Sequence, residues 1–308
     1  MLLSNIADVI GGTPLISLQR LSAEVGATLL AKLEGVNPAG SVKDRVARSM
    51  VEDAERRGVL EPGATLVEAT SGNTGIALVM MAAARGYRLI LTMPEAMSRE
   101  RVQLLRAYGA EVVRTPGTLM QPAVEQAQLL AASTPGSFVL GQFDNPANPM
   151  AHELTTAEEI LADTDGAFDY FVAGIGTGGT ITGVGRVLKR RSPDTTVVGV
   201  EPEGAAVLSG SKATGHHLQG IGAGFIPKVL DRRVIDQVRV ATEKNALAAA
   251  RRLARTEGIL AGISSGAALS AALEVAASSK GQGKRIVVVL PDGGERYAST
   301  ALFEALAL

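Results

Sequence analysis

Along most of the chain, short runs of aliphatic and β-branched residues alternate with longer Ala-rich stretches. The short runs are apolar at successive positions rather than at every second one, as in RLILTM (residues 88–93) and IVVVL (286–290). A strand that is apolar on both faces is buried on both, which is the condition of a parallel sheet covered by helices. On this pattern strands are predicted at residues 29–33, 65–68, 88–93, 111–114, 138–140, 170–173, 197–200 and 286–290. The stretches between them predict helices at 43–57, 74–85, 99–108, 121–133, 155–161, 180–191, 244–256 and 266–279. The alternation predicts an α/β fold of two lobes with twisted, mostly parallel sheets and helices on both faces. The Asn- and Pro-rich stretch DNPANPM (144–150) marks a lobe boundary. A functional site is expected in the cleft between the lobes.

Composition narrows the chemistry. The 308 residues are 46 % hydrophobic, which fits packed cores rather than disorder. Lys and Arg number 30 and Asp and Glu 31, for a net charge of −1, so neither nucleic acid nor a membrane surface is an expected partner. There is no Cys, which excludes disulfides, thiol nucleophiles and Cys-ligated metals. Only three histidines occur, and no metal centre is expected from them. His152 is expected to order the segment after the Asn-Pro turn, and His216 and His217 to be loop residues near the cleft mouth. No basic leader precedes Asp8 and no apolar run has the length of a membrane helix, so the cytoplasm is the expected location.

In open α/β sheets, ligands bind outside the C-terminal strand ends, on loops leading into helices. Four such loops stand out. In NPAGSVKDR (37–45), Ser41 is read as a helix N-cap, which puts Lys43 in the first turn. The positive end of the helix dipole, with partial burial, favours a neutral, reactive amine there. A solvated lysine paired with Asp44 is the plainer reading of the same segment. In TSGNTG (70–75), hydroxyls, an amide and glycines converge on a helix start, an arrangement that suits a carboxylate or phosphate as well as an ordinary cap. GIGTGGT (174–180) follows a strand, and its glycines let backbone N–H groups approach a phosphate while Thr177 and Thr180 add hydroxyls. GISSG (262–266) is either a fourth ligand loop or a helix cap. The third loop has a rival reading. Gly174, Gly176 and Gly179 fit G-x-G-x-x-G, and Glu201 ends the next strand where a ribose-binding acid would stand, as in an NAD-dependent dehydrogenase.

Taken in order, GGTPL, NPAGSVKDR, EATSGNTGIAL, MPEAMSRERVQLLRAYGAEVV, QFDNPANPMAHELTTAEEI, GIGTGGTITGVGR, QGIGAGFIP, GISSGAAL and PDGGERY resemble the cysteine synthase (O-acetylserine sulfhydrylase) family. That family has the tryptophan-synthase-β type of fold, fold type II among pyridoxal-phosphate enzymes. The resemblance implies pyridoxal 5'-phosphate carried on Lys43, the lysine that forms the Schiff base and moves the α-proton. It implies Asn73 as the partner of the ring oxygen, and Gly176, Thr177, Gly178, Gly179 and Thr180 as the phosphate cradle. Ser264 is implied as the partner of the pyridine nitrogen, with Ser265 the alternative register. Thr70, Ser71, Gly72, Asn73, Thr74 and Gln142 are implied for the substrate carboxylate. The implied lobes are residues 40–147, mobile and carboxylate-binding, and residues 1–39 with 148–308, carrying the cradle and the pyridine partner.

The implied reaction is β-replacement of O-acetyl-L-serine by sulfide through an aminoacrylate, giving L-cysteine and acetate. Cystathionine β-synthase, O-phosphoserine sulfhydrylase and β-cyanoalanine synthase use the same apparatus. A homodimer and regulation by serine acetyltransferase are also implied. GHHLQGIGAG (215–224) is similar to the sulfide-using, acetylserine type and adds no Arg for a substrate phosphate. Two segments depart from the family pattern. Residues 117–122 (GTLMQP) replace the usual Gly- and Lys-containing stretch, and Gly293 stands where relatives often carry Ser.

Overall fold

The structure, a computed structural model, describes residues 2–70, 72–95, 99–117 and 120–304. Its strands are β1 (Leu15–Ser17), β2 (Thr28–Leu33), β3 (Thr65–Ala69), β4 (Arg88–Pro94), β5 (Glu111–Thr115), β6 (Ser137–Val139), β7 (Tyr170–Gly174), β8 (Thr196–Pro202), β9 (Gln237–Ala241) and β10 (Arg285–Leu290). They form a four-stranded sheet in the order β5-β4-β3-β6 and a six-stranded sheet in the order β1-β2-β10-β7-β8-β9. Every pairing is parallel except β1 with β2. Two compact units carry the sheets: Met1–Ile10 with Lys43–Asn148, and Gly11–Val42 with Pro149–Leu308.

The six-stranded sheet shows why its strands read as continuous apolar runs. In β10, Ile286, Val288 and Leu290 enter one core while Val287 and Val289 enter the core on the opposite face. β7 divides the same way, Tyr170 and Val172 against Phe171 and Ala173. Successive side chains of a strand point to opposite faces, so two covered faces demand apolar residues at both parities. Each such Val, Leu or Ile, fully buried, stabilises the fold by about 1.5–3 kcal/mol. In the smaller sheet, Val67 and Ala69 of β3 and Ile90 of β4 pack against Ala123 and Ala127 of helix Gln121–Ser133. Pro122 stands in the first turn of that helix, where its missing N–H would have no intrahelical acceptor. This accounts for part of the unusual GTLMQP stretch; Thr118 and Leu119 lie outside the described residues.

The eight expected strands and eight expected helices all have counterparts within a few residues. Two strands escaped the pattern. β1 has only three residues, mostly exposed, and β9 is a partly exposed edge strand that alternates rather than running apolar. Two boundaries matter for function. The helix expected at 266–279 begins at Ile263, so Ser264 and Ser265 lie inside its first turn. The helix expected at 155–161 runs Ala157–Thr164 and is preceded by a π-helical turn, His152–Thr156. Among the described residues no helix is long and apolar enough to cross a membrane.

Candidate active site

Lys43 is the first residue of helix Lys43–Arg56, and the chain passes from one unit to the other just before it. The preceding segment is built into the larger unit by a buried polar network. Thr13 of the GGTPL motif donates its hydroxyl to Glu34 at 2.7 Å, and the Asn37 amide donates to the Glu34 carbonyl and carboxylate at 2.9 and 3.0 Å. The Asn37 oxygen in turn accepts the Gly11 N–H at 2.9 Å. Farther along, the Arg296 guanidinium donates to the Ala39 carbonyl at 3.0 Å, and the Val42 N–H to the Pro291 carbonyl at 2.8 Å. The helix begins at Lys43, so Val42 rather than the expected Ser41 stands directly before it, and Ser41 forms an antiparallel bridge with Asp292. Lys43 therefore leaves a backbone pinned on the exit loop of β10. It is itself half-buried, and Asp44 and Arg45 beside it are buried.

The PDGGERY loop proves to be the hub of this arrangement. The Asp292 carboxylate accepts the buried Tyr297 hydroxyl at 2.5 Å. Its backbone carbonyl accepts the Gly262 N–H at 3.0 Å and the Ser265 hydroxyl at 3.2 Å. That last bond distinguishes the two serines by their partners. Ser265 is committed to the chain, whereas Ser264, 2 % exposed, makes no side-chain hydrogen bond among the described residues. The Ser264 hydroxyl is thus left open to a ligand atom.

Gly178 caps the 13-residue helix Gly179–Arg191 at φ 85°, and a Cβ there would press on Leu230 at 2.7 Å. A Cβ on Gly176 would meet the Gly220 carbonyl oxygen at 2.5 Å. Glycine is thus required at both positions, by conformation at the first and by close approach at the second. The first N–H groups of the helix have no intrahelical acceptor, so the loop offers donors and a positive dipole end to an anion. The Gly179 N–H has only a long contact of 3.4 Å with the Thr177 hydroxyl. Gly220 also lies beside Ser264, where a Cβ would come within 3.3 Å of its hydroxyl oxygen. The loop Gly176, Thr177, Gly178, Gly179 and Thr180, expected to cradle a phosphate, and Ser264 are therefore linked through one segment of the larger unit. The segment is held by the Gly222 N–H on the Ile175 carbonyl at 2.8 Å and by the His216 ring Nε2 on the Gly222 carbonyl at 3.0 Å. With His217, His216 lines a cavity of about 610 Å³ that contains none of the expected site residues.

In the smaller unit, Asn73 opens helix Asn73–Arg85 and Gly72 stands at its N-cap. Thr70, on the exit of β3, accepts the Gly72 N–H on its hydroxyl at 3.3 Å. The Thr74 hydroxyl donates to the Gln142 side-chain oxygen at 2.7 Å, which joins two segments 68 residues apart. Ser71 lies outside the described residues. Thr70, Thr74 and Gln142 are all buried. Beneath them lies a group that the sequence reading missed. Glu68, 3 % exposed, accepts the Gly141 N–H at 2.8 Å and the Gln142 N–H at 3.3 Å. Burial pushes its carboxyl up to about 7, against the pull of those two N–H groups, and Asp144 adds to the rise. The available signal was a lone acid inside an otherwise uncharged buried strand, TLVEA.

His152 does order its segment, as expected, but it also reaches the cradle. Its Nδ1 meets the Thr156 hydroxyl at 2.9 Å and its Nε2 the Thr180 hydroxyl at 3.3 Å. The dehydrogenase reading fails at Glu201. That carboxylate is 2 % exposed and turned onto the backbone N–H groups of Leu208 and Ser209, at 2.9 and 2.8 Å, rather than presented to a ribose.

A glycine-rich helix start that offers N–H donors and an uncharged hydroxyl with no side-chain hydrogen bond among the described residues, both in one unit, fit a phosphate ester that carries a ring nitrogen. The comparisons with known proteins agree with that donor set. The chain belongs to the family of pyridoxal-phosphate dependent enzymes, which matches it over residues 6–292. It is 51 % identical over 301 residues to a cysteine synthase of Staphylococcus aureus (strain Mu50 / ATCC 700699), covering 97 % of this chain and 96 % of that one. Among solved structures it is similar to O-ureido-L-serine synthase, with 48 % identity and a TM-score of 0.96 over 100 % of this chain and 97 % of that one. It is also similar to the cysteine synthase of Entamoeba histolytica, with 42 % identity and a TM-score of 0.94 over 99 % and 91 %.

Proposed function

We propose that the enzyme is a cysteine synthase, converting O-acetyl-L-serine and sulfide into L-cysteine and acetate. Two things support the reading: the half-identity to cysteine synthases along nearly the whole chain, and the uncharged Ser264 hydroxyl, which makes no side-chain hydrogen bond among the described residues. The second is the geometric observation that carries it. In this reading Lys43 holds the cofactor's aldehyde carbon, Asn73 its ring oxygen, Gly176 to Thr180 its phosphate and Ser264 its ring nitrogen. When bound, pyridoxal phosphate supplies an electron sink for the pair left when the α-carbon loses its proton.

The protein's own residues do the rest. Thr70, Ser71, Gly72, Asn73, Thr74 and Gln142 bind the substrate carboxylate and orient the Cα–H bond. Lys43 Nζ, as a free amine, would accept the α-proton. The bond from Cβ to the acetate oxygen then breaks and acetate departs. The sulfur of hydrosulfide forms the new bond to Cβ, and Lys43 returns the proton to Cα. Ser264 carries no charge, so it would not hold a proton on the ring nitrogen as a carboxylate would, which favours loss of the β-substituent over transamination or racemisation. The Lys43–Asn148 unit takes the substrate carboxylate, and the larger unit carries the cradle and the ring partner.

The deciding experiment pairs O-acetyl-L-serine, O-phospho-L-serine and L-serine each with sulfide, cyanide, homocysteine and hydroxyurea. Acetylserine with sulfide is expected to show the highest kcat/KM. A higher value for any other pair reassigns the substrate, O-ureido-L-serine formation included. The family resemblance also supports a cytoplasmic homodimer with serine acetyltransferase as a regulatory partner. Light scattering of the purified protein, and titration with the acetyltransferase C-terminal peptide, test these two expectations.

A further inference from the structure

We propose that Glu68 is a positioning residue for substrate binding: through the backbone amides of Gly141 and Gln142 it fixes the Gln142 side chain against Thr74. The proposal rests on the reading of residues 70–74 and Gln142 as the site of the substrate carboxylate. Glu68 is the only charged residue of β3 and is almost wholly buried. A carboxyl at such a position is unfavourable unless its oxygens are used. Here both are. β6 ends at Val139, so Gly141 and Gln142 lie beyond the ladder that would otherwise pair their N–H groups, and the two carboxyl oxygens accept them instead, at 2.8 and 3.3 Å.

With its backbone held, Gln142 has little freedom left. Its carbonyl accepts the Asn148 amide at 2.7 Å. Its side-chain oxygen accepts the Thr74 hydroxyl at 2.7 Å, and its side-chain nitrogen donates to the Ala69 carbonyl at 3.3 Å. A primary amide has two N–H donors, so one remains to be offered. The arrangement thus presents a donor and turns the amide oxygen away, which is the polarity that a carboxylate needs. Glu68 does not touch the substrate; it sets which face of Gln142 the substrate meets.

The test uses the holoenzyme with Glu68→Gln, Glu68→Leu and Gln142→Ala. Loss of a hydrogen bond to a charged ligand predicts a KM for O-acetyl-L-serine raised about tenfold or more in Gln142→Ala. Glu68→Leu is expected to raise that KM by a comparable factor, with the KM for sulfide and the cofactor absorption spectrum unchanged. Hydrogen exchange is expected to accelerate at the Gly141 and Gln142 amides. Glu68→Gln keeps one acceptor oxygen and is expected to recover most of the loss, leaving KM raised about threefold. If Glu68→Leu does not fold, Glu68→Gln decides alone. An unchanged donor KM in the Glu68 variants, or a parallel fall of kcat, KM and cofactor occupancy, overturns the positioning role. An unchanged donor KM in Gln142→Ala instead removes the carboxylate reading and the proposal with it.

Discussion

Both units present donors at the start of a helix that follows a parallel strand, yet they secure those donors by different means. In the larger unit the work is done by backbone and packing. Gly176 and Gly178 are closed against Gly220 and Leu230, the segment before Lys43 is bridged to the β10 exit loop, and the Asp292 carbonyl holds both Gly262 and Ser265. In the smaller unit a single buried carboxyl, Glu68, anchors the segment that carries Gln142, and one hydroxyl bond ties that segment to Thr74. Backbone-to-backbone bonds do not titrate in the working range. A carboxyl pushed up to about 7 does. The comparison teaches that two loops of similar design rest on supports of different sensitivity to pH, and under the proposed function these are the supports of the cofactor and of the substrate.

Four substitutions break or sharpen this contrast. The largest effect is expected at Lys43, where the chain leaves one unit for the other. Lys43→Ala is expected to lower kcat by about 10²–10⁴-fold, the range for loss of a positioned proton-transfer group, while circular dichroism and the melting temperature of the apoprotein stay near wild type. Turnover within tenfold of wild type would remove Lys43 from the chemistry.

The next concerns Glu68 and pH. Its folded value, about 7, lies above the ordinary 4.5. Its contribution to stability is therefore fully present below pH 4.5 and is lost as the pH rises through 7. The gap corresponds to about 3 kcal/mol. Glu68→Gln is expected to flatten that part of the stability curve in denaturant titrations run from pH 4.5 to 8. A variant curve parallel to wild type would show that another group sets the slope. In the larger unit no such slope is expected from Asp231, whose carboxyl the Arg233 guanidinium holds far below the usual carboxylate range.

Tyr297→Phe removes the hydroxyl that Asp292 accepts within the larger unit. It is expected to cost about 2 kcal/mol, the scale of a buried hydrogen bond to a charged group, and to weaken cofactor retention on dialysis. A change under about 0.5 kcal/mol would mean that backbone bonds alone hold the hub. The smallest effect is expected from Gly293→Ser. A Cβ at Gly293 meets only the end of the flexible Glu295 side chain, so the glycine found where relatives often carry serine is a tolerated choice. The expected change in stability is within about 0.5 kcal/mol, and a larger loss in thermal unfolding would show a backbone constraint at that position.

The central strands were legible because burial on both faces writes itself locally, as unbroken apolar runs such as β10. The loops of the site were legible for a similar reason: Gly, Thr, Ser and Asn crowd into six or seven residues at 70–75 and 174–180. The edge strands β1 and β9 were not, since a short or half-exposed strand carries too few apolar positions to stand above its surroundings. His152 was legible as an ordering residue but not as the neighbour of Thr180, 28 residues away.

What the sequence by itself determined is therefore the order of elements and the glycine- and hydroxyl-rich loops that lead into helices, because each is recorded in contiguous residues. Tertiary structure alone decided which member of each chemical pair is available. Ser264 and Ser265 are identical in type and adjacent, yet one step of about 100° around a helix turns one hydroxyl to the Asp292 carbonyl and leaves the other with no side-chain hydrogen bond among the described residues. Glu201 and Glu68 are both buried strand carboxylates. The first accepts the N–H groups of Leu208 and Ser209, seven and eight residues on, and the second accepts those of Gly141 and Gln142, more than 70 residues away. Such choices depend on contacts between distant segments, and no local pattern of residues carries them.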